Sequence, residues 1–153
     1  SNHYPANFVQ ICITYKSTEH FLFTAKTLKA ERFDAAKQVR EAENAAKAKF
    51  IGERVPWDDD KHGPWETFAQ NSLWTADGCK YEQNLELREH LLGTAPKLLV
   101  EASPKDKRWG AGLAKSSPLI CYPKKVSRPQ SFWTSSNTTS RQYDAKVDEE
   151  ASS

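Results

Sequence analysis

Methionine is absent from the 153 residues. A complete translated chain begins with one, so the numbered sequence is expected to start inside its domain. Cysteine is almost as scarce: Cys12, Cys79 and Cys121 stand far apart and match no zinc or redox spacing, which reads as reduced thiols in an intracellular, most simply cytoplasmic, protein. No apolar run approaches the roughly twenty residues of a membrane span, and the first residues lack the basic and apolar regions of a secretory signal. An excess of one charge is missing too, since 22 Lys and Arg against 20 Asp and Glu leave a formal +2. That balance does not point to nucleic acid, whose binders carry a clustered basic face. What is present, 38% hydrophobic and 27% charged residues, suits about one globular domain.

Between Phe8 and Tyr15 the residues Val9, Ile11, Ile13 and Tyr15 alternate with smaller or polar ones, the period of a half-buried strand. Ser17 or Thr18 then offers an N-cap oxygen, and Phe21, Leu22, Ala25 and Leu28 follow at helical spacing. Glu19 and His20 therefore fall in a first helical turn, where unpaired backbone N–H groups favour a carboxylate. From Ala30 to Gly52 the composition predicts two short helices, with Phe33, Ala36, Val39 and Ala42 on one face. Asn44 is the expected second N-cap and Gly52 the terminator. Asp58-Asp59-Asp60 reads as a solvated loop closed by Gly63-Pro64, since no calcium-loop spacing follows it. Trp65, Phe68, Ser72 and Leu73 continue a helical face that Asp77-Gly78 should interrupt. A further helix is expected from Lys80 to Leu92, and a short buried strand at Leu98–Val100. The order predicts an α+β fold, mostly helical, with a small sheet. After Leu113 the chain turns to Ser, Thr, Lys and Pro, so residues 114–153 are expected to form a flexible tail behind a 1–113 domain.

Two segments carry the chemistry. Ser17-Thr18-Glu19-His20-Phe21 and Ser103-Pro104-Lys105-Asp106-Lys107-Arg108-Trp109-Gly110 each set a carboxylate beside aromatic rings near an element boundary, where a fold can hold an acid group against a flat, polar ligand. Between them lie Lys80-Tyr81-Glu82-Gln83-Asn84-Leu85-Glu86-Leu87, Leu91-Leu92-Gly93-Thr94 and Leu98-Leu99-Val100-Glu101. In this order and at these intervals the segments resemble the YbiA-like, or NADAR, family, whose members are N-glycosidases acting on ribosylated bases. The resemblance covers roughly residues 1 to 113. Ser1-Asn2-His3-Tyr4-Pro5 is similar to the Ser-Asn-Phe-Tyr-Pro turn that follows the family's first strand, so that strand is expected to be missing. Glu19 stands at the glutamate of a Ser-Glu-His-Tyr helix start, with Thr18 replacing the serine and Phe21 the tyrosine. Trp65 stands at the tryptophan that opens the central helix, and Asp106 at the aspartate of Asp-x-x-Trp-Gly, intact through Trp109 and Gly110. Of a later Trp-x-Gly-x-Asn-x-Leu-Gly segment, Trp133 and Asn137 are kept, while Ser135 and Ser140 replace glycines.

The resemblance implies hydrolysis of an N-ribosidic bond. The substrate would be ADP-ribose on a base, notably guanine, free or within an ADP-ribosylated nucleic acid, or a ribosylamino-pyrimidine phosphate of riboflavin biosynthesis. Breaking that bond builds positive charge on C1′ and the ring oxygen, which calls for a nearby carboxylate, help for the departing base and a positioned water. Glu19 and Asp106 are the expected catalytic pair, within about 10 Å of each other if both reach one ribose. Trp65, His20, Trp109, Gly110 and Asn84 are the expected substrate contacts, and no metal or other cofactor is called for. Each residue also has a plainer reading. Glu19 is a favourable dipole partner in any helix, His20 a brace for the helix start, Asp106 a loop cap, and Trp65 and Trp109 core rings. Gln83 and Asn84 read as structural amides. Lys26, at i+7 from Glu19, reads as solvated rather than as a phosphate contact. A non-catalytic module binding ADP-ribose is the alternative function, and a remnant without its first strand and last helix a third.

Overall fold

The computed structural model describes residues 2–95, 99, 102, 104 and 111–118. The chain divides into two compact units, Ser1–Arg88 and Glu89–Ser153, and the first holds the side chains discussed below. Its elements are β1 (Phe8–Gln10), β2 (Ile13–Tyr15), α1 (Thr18–Lys29), α2 (Phe33–Glu41), α3 (Ala45–Glu53), α4 (Asp59–His62) and α5 (Trp65–Gln83), followed by α6 (Leu85–Leu92). This is the α+β, mostly helical arrangement with a small sheet that the sequence predicts.

The single strand expected over residues 8–15 is a hairpin. Phe8 pairs with Tyr15, Val9 with Thr14 and Gln10 with Ile13 in an antiparallel ladder. Ile11 and Cys12 turn the chain with φ of 47° and 61°, the doubly positive geometry of a two-residue hairpin loop. The reversal breaks the alternation, so Phe8 and Tyr15 are buried while Val9 and Ile11 face outward. The two inner rings stack at 5.8 Å and meet Phe21 of α1, joined by Ala76 and Cys79 of α5. The outer edge of β1 is closed by a side chain: Gln83 donates from Nε2 to the Val9 carbonyl at 2.8 Å and accepts the Val9 N–H at 2.7 Å. One amide thus satisfies both backbone groups that an edge strand would otherwise expose.

Helix α1 is packed by α2, α3 and α5, and the face it buries is largely polar. Thr18, Glu19, His20, Thr24, Lys26 and Thr27 are buried alongside Leu22 and Phe23, whereas Leu28 of the expected apolar stripe is exposed. Helices α2 and α3 break at Asn44, whose side chain accepts the Lys47 N–H at 2.9 Å. The α2 face buries Ala36, Val39 and Ala42 as expected, but Phe33 is exposed. Gly52 does not end α3; it lies within it, against Phe23, where an added Cβ would meet ring atoms at 2.3–2.5 Å. Close approach of two helices, rather than a turn, explains this glycine.

The acidic triplet forms a cap instead of a loop. Asp58 Oδ1 accepts the N–H groups of Asp60 and Lys61, Asp59 Oδ1 accepts the Trp65 N–H at 3.0 Å, and Gly63 follows with φ 85°. Asp77-Gly78 does not interrupt α5, which runs unbroken for 19 residues. Asp77 is instead held by the Thr18 hydroxyl at 3.0 Å, a tertiary contact that outweighs the weak helix preference of the pair. The break comes at Asn84. The strand expected at residues 98–100 and the tail beyond residue 118 fall outside what is described, apart from Leu99. Among the described residues no helix is long and apolar enough to cross a membrane.

Candidate active site

The site begins with the way α1 starts. Ser17 is the N-cap: its backbone is extended and its hydroxyl accepts the His20 N–H. Glu19 is then the one acidic residue of the first turn, where the partial positive charge of unpaired N–H groups favours an anion. The chain before β1 folds over this end, because the Glu19 N–H donates to the Asn2 carbonyl at 3.3 Å. The same approach brings His3 Nε2 to 3.5 Å from Glu19 Oε1, with the Glu19 side chain 8% exposed and the imidazole 47% exposed. A carboxylate is thus sunk beside a ring that still reaches solvent.

Glu19, Phe23 and Lys26 recur at i, i+4 and i+7 and so share a face of α1. Trp65, at the first position of α5, meets that face. Its ring stacks on Phe23 at 6.5 Å with 26° between planes, and the Lys26 ammonium sits 5.2 Å from its centroid. The rise of about 1.5 Å per residue places the Phe23 backbone about 6 Å along the helix from Glu19. Trp57 and Phe68 enclose the indole at 5.3 and 5.9 Å, and Asp59 fixes its backbone. Trp57 is itself anchored, donating from Nε1 to the Gly63 carbonyl. Trp65 keeps partial exposure within this aromatic group.

Lys26 corrects the solvated reading. It is buried, and its Nζ donates to the Gly52 carbonyl at 2.9 Å. Burial pushes its pKa down and the neighbouring Glu53 pulls it partly back. The absence of a Cβ at Gly52 lets α3 approach closely enough for its carbonyl to receive this ammonium. A cation over an indole also polarises that face of the ring, an attraction strengthened when water is excluded.

His20 stands where the sequence puts it, in the first turn, but its ring does not offer a nitrogen to a ligand. Nε2 lies 3.2 Å from the Ala42 carbonyl, which can only accept, so Nε2 carries the proton and Nδ1 accepts from the Ser17 hydroxyl at 2.8 Å. Burial, with Lys16 nearby, holds the pKa below its ordinary value despite the hydrogen bond to Ala42. The Ser17–His20 pair has the outline of a nucleophile and base, yet both residues are 1% exposed. It ties the start of α1 to the end of α2. Asn84 is similarly engaged, donating from Nδ2 to the Asn7 and Lys80 carbonyls at 3.0 and 2.8 Å. Asp106, Trp109 and Gly110 lie outside the described residues.

Sequence reasoning passed over a second polar layer. Asp77 accepts from Thr18, the residue before Glu19, and burial raises its pKa against the opposing effects of that hydrogen bond and of Lys80. Lys80 is buried, reaches the Tyr4 carbonyl at 3.4 Å, and has its pKa lowered by burial and raised in part by Asp77. The spacing of Asp77 and Lys80, one turn apart on α5, was the available signal. Among the described residues no group of three His, Cys, Asp or Glu side chains is placed to hold a metal ion.

Residues 1–138 match the NADAR domain. The chain is 28% identical over 144 residues to an N-glycosidase of Acanthamoeba polyphaga mimivirus, covering 90% of this chain and 78% of the viral one. To N-glycosidase YbiA of Escherichia coli it is 32% identical over 101 residues, covering 65% of this chain and 59% of YbiA, so it spans less than two thirds of that relative. The NMR structure of E. coli YbiA superposes with a TM-score of 0.72 at 23% identity, over 97% of this chain and 79% of the other, a likeness of fold. With the Glu19 helix start, the Trp65 helix and the match along most of its length, this chain belongs to the NADAR domain family.

Proposed function

We propose that the protein is an N-glycosidase that hydrolyses the C–N bond between a ribose and a base, with Glu19 as the charge that stabilises the transition state. The observation that carries the reading is the buried Glu19 carboxylate at the N-terminus of α1, on the helix face that meets Trp65 one to two turns further on. A buried carboxylate is costly unless it is paired or hydrogen-bonded, and the helix end and His3 offset that cost here. Placed beside the sugar, it becomes an asset as the C1′–N bond lengthens, because a fixed charge in a water-poor site favours the oxocarbenium-like state more than the neutral ground state. The partly exposed Trp65 ring supplies a face on which a base stacks. Phe23 and Lys26, which contact that ring, follow Glu19 on the same face of α1. The bond breaks with its electron pair going to the base nitrogen, which takes up a proton from solvent, while water adds to C1′ and gives a proton to Glu19, which returns it to solvent.

The substrate is ADP-ribosylated guanine, free or in a nucleic acid, or a ribosylamino-pyrimidine phosphate. Asp106, assigned by resemblance alone, is the proposed second carboxylate. Incubating the protein with ADP-ribosylated guanosine and, separately, with the ribosylamino-pyrimidine phosphate, then measuring the released base by mass spectrometry, tests the reading. Release from one of the two is expected. Tight binding of ADP-ribose with no release from either would establish a binding module instead.

A further inference from the structure

We infer that His3 is the proton-exchange partner of Glu19, taking the proton that the carboxylate gains during hydrolysis and passing it to solvent. The inference rests on the N-glycosidase reading and extends it to a residue that the site assignment does not include. His3 Nε2 is 3.5 Å from Glu19 Oε1, and the two side chains differ sharply in access, at 47% and 8% exposed. The approach is built into the fold, since the Asn2 carbonyl accepts the Glu19 N–H and fixes the backbone beside His3. Where the resembling turn carries phenylalanine, this chain has an imidazole, a side chain able to accept and release a proton.

The chemistry balances without any further reactant. Water adds to C1′ with one of its protons moving to Glu19, and the base leaves with the electrons of the broken bond and takes a proton from solvent, which the proton later released from Glu19 replaces. Glu19 must then lose its proton before the next turnover. A carboxyl group so little exposed exchanges slowly with bulk water unless a neighbouring base relays the proton. His3 as neutral imidazole accepts it at Nε2 and, being half in solvent, releases it there. Other charged groups around this end of α1 are committed elsewhere. His20, on α1 itself, is held between Ser17 and Ala42, and Lys26 donates to Gly52 with Glu53 of α3 nearby. From α5, Asp77 accepts from Thr18 with Lys80 beside it, and Lys16 after β2 donates to the Ala42 carbonyl.

Two measurements test this. The first is turnover across about pH 5 to pH 9 for the parent, His3→Phe and His3→Ala. Loss of the relay should lower kcat by about tenfold or more with little change in KM, alter the acid limb of the pH profile, and be partly restored in His3→Ala by added imidazole. The second is an NMR titration of the His3 ring in the parent and in Glu19→Gln, which needs no turnover. Its midpoint should fall when the neighbouring negative charge is removed. An active parent whose turnover and pH profile are unchanged in both His3 variants would overturn the proposal, as would a midpoint indifferent to Glu19→Gln. A parent that releases no base while the two residues still titrate together would instead remove the N-glycosidase reading.

Discussion

Glu19 and His20 are neighbours in one helical turn and have opposite fates. Glu19 is placed where helix-end charge and a nearby imidazole favour its anion, whereas His20 is held neutral by burial and by two hydrogen bonds. His20 is expected to act on stability rather than turnover. Because its folded pKa lies below the ordinary 6.5, the unfolded chain binds more protons as the pH falls. The stabilising contribution is therefore complete above about pH 6.5 and lost as the pH drops through the folded value. His20→Gln should lower stability near pH 8 by about 1–3 kcal/mol through its broken buried hydrogen bonds, with a smaller gap from the parent near pH 5. Denaturant melts at both values measure this, and a gap that widens on acidification would contradict the assignment. At this scale Glu19 and Trp65 were legible as residues that a pattern could name. Lys26, Asp77 and His3 were not, because a lone lysine, aspartate or histidine carries no sign of the partner it will meet. Only the packing of α1 by α3 and α5 and the fold-over of residues 2–4 give them roles.

The elements that hold the site are joined by contacts that single substitutions probe. Gly52→Ala pushes a methyl into the Phe23 ring, so α3 must move from α1, at an expected loss of about 1–3 kcal/mol. Phe23→Leu should recover part of it in the double variant, and simple additivity would show that the two do not touch. Gln83→Ala frees both backbone groups of Val9, so the Val9 amide should exchange with solvent faster and stability should fall by about 1–2 kcal/mol. Helix α1, the α2–α3 break at Asn44 and the opening of α5 near Pro64 were readable because caps and breakers act locally. The hairpin was not: its turn falls on Ile11-Cys12, residues that rarely take positive φ, and nothing in Val-Gln-Ile-Cys-Ile announces a reversal. The uninterrupted α5 was hidden for the opposite reason. Asp77-Gly78 is a local stop signal overruled by a bond from Thr18, 59 residues away in sequence.

For the molecule as a whole, family membership and fold agree with the chemistry proposed for α1 and α5. A ligand that occupies the site stabilises the folded chain by mass action, so ADP-ribose at about 100 times its Kd should add about 2.7 kcal/mol to unfolding. Trp65→Ala should weaken that binding by about 1–3 kcal/mol if the base stacks on the indole, and an unchanged melting shift would take Trp65 out of the site. The central claim is that the Glu19 charge drives catalysis and is not needed for binding. The direct test is Glu19→Gln, which keeps the shape and reach of the side chain and removes its charge. The account predicts turnover lower by about two orders of magnitude or more, with substrate affinity retained. Turnover equal to that of the parent would contradict it.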